Sequence, residues 1–369
     1  MYSYISIRHN AKRFFTKNVG PIRNAAVIFA EVPSSELEVD KHIKNVEDRT
    51  IDLNTINTQG GVVTKNLVVS IDPYMRRRMR AADLKSYLPP FKLNQPLTNF
   101  IVGKIIKSNN NKYKVGQFVY GNGGYEEYTV HFKDQAETLR ILSDEELKLD
   151  LPLTTWVGAA GMAGQTAFYG LYHIGQPKKG ETIFITGASG AVGQLVGQFA
   201  KREGLTVIGS AGSDDKVQWL KKELCFDHAF NYKTANIKAE LARFNPLNIY
   251  FDNVGGDQLE AALDAADNFA RFIECGMISL YDTSNTHGIR NLVLVVTKRL
   301  KLEGFIILDK NNDEHFNKEF YTKIPKWIAN GELKVKEDIT KGLEHAPKAI
   351  VGIFKGKNFG KAVIQIADN

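Results

Sequence analysis

The sequence predicts an α/β protein in which a doubly wound domain with a parallel sheet is joined to a smaller antiparallel β unit. Three observations carry this. From about residue 151 onward, apolar strand-like runs alternate with helix-length stretches, the pattern of a parallel sheet covered on both faces. Before that, from about Ala25 to Tyr128, short apolar alternations are broken by Gly, Pro and Asn, which reads as an antiparallel barrel or sandwich. The length of 369 residues also exceeds one ordinary hydrophobic core, so roughly two to three domains are expected.

Taken in order, residues 1–24 come first as a basic extension. They hold Arg8, Lys12, Arg13, Lys17 and Arg23 and no acid, so the formal charge of +7 falls to 43 bases against 41 acids without them. A nearly neutral body gives no phosphate-tracking face, and a nucleic-acid partner is not indicated. The extension is either a basic tail on a cytoplasmic enzyme or a mitochondrial transit peptide. Residues 25–155 form the β domain, with "SNNNKYKVGQ" at 108 to 117 as a polar hairpin loop inside it.

The nucleotide-type domain spans 156–315. Strands are expected at 181–187, 205–211, 228–232, 248–255 and 270–279, separated by helices beginning with 191–204. Right-handed crossovers then make a doubly wound sheet the economical topology. Residues 316–369 contain two helices and a last strand, "GKAVIQIA", which needs a sheet and is expected to return to the β domain. No run is apolar for long enough to span a bilayer. Cys225 and Cys275 stand in no metal-ligand spacing and are read as two reduced, buried thiols.

The chemistry begins at "ITGASGAVGQLVGQ". Gly187, Gly190 and Gly193 sit at a strand-to-helix junction, where a tight turn lets the backbone approach a pyrophosphate. The helix start at Ala191, Val192 and Gly193 offers free N–H groups and a positive dipole end. Against the GxGxxG template, Ala188 stands in the place of the first glycine. At the end of the next strand an NAD site would carry a carboxylate for the ribose hydroxyls. This chain has Ser210, Ala211 and Gly212 there, followed by Ser213 and Lys216. A hydroxyl and an ammonium suit a 2′-phosphate, so the expected cofactor is NADPH, with Lys216 as selector. The competing reading has Ser213 capping the helix and Lys216 simply solvated.

Seven segments in fixed order carry a resemblance: "VVSIDPYMRRRM", "GMAGQTAFYGL", "GASGAVGQLVGQFAK", "GSDDKVQWLKKELCFDHAFNYKT", "YFDNVGG", "CGMISLYD" and "GKNFGKAVIQI". Over residues 25 to 367 the chain resembles the zinc-independent medium-chain reductases of the prostaglandin reductase, leukotriene hydroxydehydrogenase and alkenal double-bond reductase branch. The resemblance implies a GroES-like β domain, a Rossmann domain and a homodimer. It also implies NADPH-dependent reduction of the C=C bond of α,β-unsaturated aldehydes and ketones, small hydrophobic enals and enones. By the same resemblance, Lys216 and Tyr232 contact the adenosine phosphate, and Asn253 lies at the nucleotide-facing strand end. Asn358 is a cofactor contact, Tyr281 is the active-site tyrosine that stabilises the enolate, and Tyr74 lines the substrate pocket.

The chain departs from the branch at "YGNGGYEEY", at Ala163 and Gln165, and at "TNFIVGKII", positions expected to shape the pocket. Rival readings remain. A zinc-dependent alcohol dehydrogenase would need a Cys/His/Glu set, and no cysteine precedes Cys225. A quinone reductase would share the NADPH site, and a non-catalytic NADPH-binding protein would keep the fold without turnover.

Overall fold

Strand Thr182–Ile185 shows why the second half of the chain forms a two-faced sheet. Alternate residues leave a strand on opposite sides. Ile183 and Ile185 enter one core with Leu195 and Phe199 of the helix Gly193–Arg202, whereas Phe184 enters another with Leu259 and Leu263 of the helix Asp257–Ala265. Both faces are dry, which is why the strand reads as a continuous apolar run rather than an alternating one.

The computed structural model describes residues 20–244, 246–281 and 288–368. Its six-stranded parallel sheet has the order His228–Asn231, Thr206–Ala211, Thr182–Ile185, Leu247–Asp252, Ala266–Glu274, Lys301–Gly304. In chain order this is 3-2-1-4-5-6, a Rossmann sheet whose order reverses beside Thr182–Ile185. Ligands of such sheets bind at the carboxyl ends of the strands at that reversal. The helix after Thr182–Ile185 begins at Gly193, two residues later than the sequence suggested, because Ala191 and Val192 belong to the turn.

The second sheet runs Glu337–Lys341, Lys361–Gln365, Val62–Ser70, Thr98–Ser108, Phe118–Gly124, Arg140–Ile141, with Tyr128–His131 also paired to Val62–Ser70. Lys361–Gln365 pairs antiparallel with Val62–Ser70, register Ile364 to Val69. Its Ala362 and Ile364, with Ile350 of the helix Ala346–Phe354, complete a core built from Phe29, Ile43, Val69 and Ile101.

Two expectations are corrected. The basic extension does not run to residue 24 as a tail: Ile22–Arg23 pairs with Thr50–Ile51, Arg23 meets Glu127 at 2.7 Å, and the Asn24 side chain donates to the Tyr128 carbonyl at 3.0 Å. Residues 1–19 lie outside the described residues. Cys225 is exposed rather than buried, because it is the left-handed residue (φ +55°) between buried Leu224 and Phe226, which take the inward positions. Cys275 is partly buried, and both thiols are free.

Candidate active site

The turn after Ile185 depends on what its glycines lack. Gly187 has φ +56°, and a Cβ on Gly193 would lie 2.6 Å from the Gly187 carbonyl oxygen. Gly190 forms a parallel bridge with Gly360, whose N–H donates to the Ser189 carbonyl at 3.1 Å. Ala188 takes the template's first glycine position because it is fully buried, and the adjacent strand supplies the missing space. A Cβ on Gly209 would come within 2.8 Å of the Ala188 methyl. Among the described residues, the N–H groups of Ala191, Val192 and Gly193 have no backbone acceptor. They are therefore open to an anion at the start of a ten-residue helix.

At the adenosine end no acid stands where the strand Thr206–Ala211 stops. Ser210 is buried and donates to Gln258 Oε1 at 2.5 Å. Ser213 occupies the N-cap of the helix Asp214–Lys222, yet its side chain makes no capping bond, so its hydroxyl is not explained by capping. Lys216 is not simply solvated either: its Nζ donates to the Gly356 carbonyl at 2.8 Å, and burial, then Lys233, lowers its pKa. A Cβ on Gly212 would meet the Tyr232 hydroxyl at 3.3 Å and Lys233 Cε at 3.5 Å. Tyr232 and Lys233 thus flank one bare glycine that Ser213 follows, and Lys233 also acts on Lys216. Sequence reasoning passed over Lys233, although it directly follows Tyr232.

At the other end of the groove, Asn253 fastens two strand ends. Its N–H donates to Thr186 Oγ1 and its Nδ2 to the Thr186 carbonyl, both at 2.8 Å. Buried Asp252 accepts from Thr186 Oγ1 at 3.0 Å and from the N–H groups of Val254 and Gly255 at 2.8 Å. Glu274 ends the neighbouring strand, and burial, then Asp252, pushes its carboxyl up to about 8. Burial also pushes the Cys275 thiol up to about 12. Neither carboxyl was visible as a site residue, since an isolated acid in an apolar strand has no spacing to mark it. Asn358 Nδ2 donates to the Gly360 carbonyl at 2.8 Å, shaping the returning segment that crosses the phosphate turn.

The two tyrosines are set up differently. Tyr281 follows the turn Ile278–Leu280, and its oxygen accepts the Met277 N–H at 3.3 Å. Gly276 leaves room for this, because a Cβ there would sit 3.2 Å from the phenol oxygen. Tyr281 closes this turn as an acceptor, and among the described residues no group accepts its proton. Burial raises its pKa and keeps that proton in place. Tyr74 instead donates to Asn99 Oδ1 at 2.5 Å. Asn99 Nδ2 donates onward to Asp72 Oδ2 at 3.0 Å, and Asp72 Oδ1 pairs with buried Lys361 Nζ at 2.8 Å. With its proton committed, Tyr74 can offer a ligand only its oxygen lone pairs.

Two residues near Tyr281 were missed. The Arg77 guanidinium stands 5.3 Å from the Tyr281 ring centroid. Burial, then Tyr281, pushes the Tyr87 phenol up to about 12, and Arg77 also faces it. Of the departures, "TNFIVGKII" supplies Asn99, whereas buried Gln165 donates to Asn317 at 3.0 Å and is spent on helix packing rather than the pocket. Among the described residues no group of three or more His, Cys, Asp or Glu could hold a metal ion, so the residues present do not fit a zinc site.

A GroES-like sheet and a 3-2-1-4-5-6 sheet meeting at a glycine turn define a medium-chain nucleotide-dependent oxidoreductase. Family models agree: residues 40–139 match the N-terminal domain of oxidoreductase, and residues 191–322 match the domain described as zinc-binding dehydrogenase. The chain is 43% identical to the NADP-dependent oxidoreductase RED1 of Cochliobolus heterostrophus, covering 94% of this chain and 98% of that protein. It is also 43% identical to the 2-alkenal reductase (NADP(+)-dependent) of Nicotiana tabacum, covering 89% and 93%. The crystal structure of CurA in complex with NADPH from Vibrio vulnificus superposes with a TM-score of 0.83 at 33% identity, over 94% of this chain and all of that one (100%). The chain belongs to the alkenal reductase branch of the medium-chain dehydrogenase/reductases.

Proposed function

We propose that this chain reduces the C=C bond of α,β-unsaturated aldehydes and ketones with NADPH. The observation that carries the reading is Tyr281, a phenol whose oxygen is held by Met277 while no described residue accepts its proton, in a chain with an open phosphate turn and no acid at the end of the strand Thr206–Ala211. NADPH, held by the turn at Gly187, Gly190 and Ala191–Gly193 and by Ser213, Lys216, Tyr232, Asn253 and Asn358, supplies the hydride. Tyr281 donates a hydrogen bond to the substrate carbonyl oxygen, where negative charge develops as the β carbon is reduced. Tyr74, able only to accept, lines the pocket without competing for that oxygen.

The enzyme works without zinc. Among the described residues the edge strand Lys301–Gly304 is unpaired on one side, and Leu292, Val293 and Val296, shortly before it in the chain, are exposed, which supports a homodimer formed through this edge. Light scattering on the purified chain should give twice the monomer mass. Among the described residues no helix is long and apolar enough to cross a membrane. A cytoplasmic location is proposed, with import into mitochondria as the alternative. Microscopy of the full chain against one lacking residues 1–19 separates the two.

The test is NADPH consumption by residues 20–369 with a 2-alkenal, an aryl enone and a quinone, and NADH as control. Turnover of the enal or enone with NADPH supports the reading. Turnover of the quinone alone would replace it with quinone reduction, and tight NADPH binding with no turnover would leave a binding protein.

A further inference from the structure

Four guanidinium groups lie in five positions from Arg76 to Arg80, and three are spent on the protein itself. Arg76 Nη2 donates to the Ser35 carbonyl at 2.8 Å. Buried Arg78 donates to the carbonyls of Pro89 and Thr98 and lies 4.0 Å from the Phe91 ring centroid. Arg80 donates to the carbonyls of Arg77, Leu84 and Leu88. Together Arg78 and Arg80 fasten the loop that carries Tyr87.

Arg77 is different. Its guanidinium is exposed and, among the described residues, has neither a carboxylate nor a carbonyl partner. Among the described residues it lies against the face of Tyr281, the proposed donor to the substrate carbonyl, and faces the Tyr87 phenol. A cation–π contact leaves the N–H fork free, and that fork matches a carboxylate in two-point geometry. The acid of this segment, Asp72, is already paired with Lys361, so among the described residues no carboxylate competes with an incoming one for this guanidinium.

We propose that Arg77 is a specificity-determining residue that receives a carboxylate carried by the substrate, so that the preferred acceptors are unsaturated oxo acids rather than neutral enals. The proposal rests on the enone-reductase reading and narrows it. Tyr87, held protonated beside the same guanidinium, can donate a second hydrogen bond to that carboxylate. The neighbouring arginines add long-range attraction that salt will screen.

The experiment compares a 2-alkenal ending in a carboxylate with its methyl ester of equal chain length, in the wild type, Arg77→Leu and Arg77→Lys. A charge-assisted pair predicts that the wild type favours the acid by about tenfold or more in kcat/KM, mainly through KM. That preference should shrink in high salt, fall to about one in Arg77→Leu and return in part in Arg77→Lys. Calorimetry of the saturated acid and ester on the NADP+-loaded protein should show the same ratio in binding. A wild-type ratio near one, or a ratio that survives Arg77→Leu, overturns the proposal. If the ester is reduced and the acid is no better, the reductase reading stands and Arg77 falls. If neither compound is reduced, the reductase reading falls, and the calorimetric ratio decides Arg77 by itself.

Discussion

Tyr281 and Tyr74 carry the same hydroxyl and differ only in where its proton goes. Removing the one that no described residue accepts should matter more: Tyr281→Phe is expected to lower kcat/KM for a small enone by about 10²-fold with little change in NADPH affinity. Steady-state kinetics beside fluorescence titration checks this, and unchanged kinetics would remove Tyr281 from the mechanism. Lys216→Ala should reduce the preference for NADPH over NADH by roughly tenfold or more without abolishing it, because Tyr232 and Lys233 remain around Gly212. Glu274 gives a pH signature. Its carboxyl is raised in the fold, so the native state holds a proton that the unfolded chain has released above the ordinary carboxylate range. Stability from this group is therefore highest at low pH and is lost as pH climbs toward about 8. Glu274→Gln should flatten the fall in melting temperature between pH 6 and 8.5. Tyr281 and Lys216 could be singled out as candidates in the sequence because each sits in a dense local motif. Asn99 and Glu274 were not, because their partners, Asp72 and Asp252, are brought to them by the sheets.

Among the elements, the buried strands and the edge strand His228–Asn231 were legible, and two other edge strands were not. Thr182–Ile185 and Leu247–Asp252 are apolar on both faces and announce themselves. Lys301–Gly304 and Glu337–Lys341, "KLEG" and "EDITK", lie at sheet ends with one neighbour each and carry charge instead. Strand Ala266–Glu274 begins four residues before the expected start, through the polar "ADNF", where Phe269 takes φ +65° and the register slips between Leu247 and Ile249. The glycine turn was legible in outline, but the compensation of Ala188 by Gly209 needed two strands side by side. Gly193→Val should place side-chain carbon against the Gly187 carbonyl and cost about 1–3 kcal/mol while weakening NADPH binding. Urea unfolding and cofactor titration read the two effects, and a variant that loses neither would show that the turn relaxes freely.

At the scale of the molecule, one ion pair ties the ends of the chain together. Lys361 Nζ reaches Asp72 across 289 positions of sequence and the Ile71 carbonyl across 290, with the Lys361 and Asp72 side chains at most 5% exposed. Lys361→Met alone leaves a buried unpaired carboxylate and is expected to cost about 3–5 kcal/mol, whereas Lys361→Met with Asp72→Asn should recover much of the loss. Equal loss in the single and double variants, measured by urea unfolding, would deny the pair its role. The same strand has a consequence for how the protein is made. A ribosome releases Val62–Ser70 early, but its sheet partner Lys361–Gln365 follows only after the whole of the parallel sheet has been made. All six strands of the parallel sheet lie between Thr182 and Gly304, so that sheet can close while the earlier half still waits. The half translated first is thus the half that finishes last, and stalled nascent chains ending near residue 330 should show a protease-resistant second domain beside a cleavable first one.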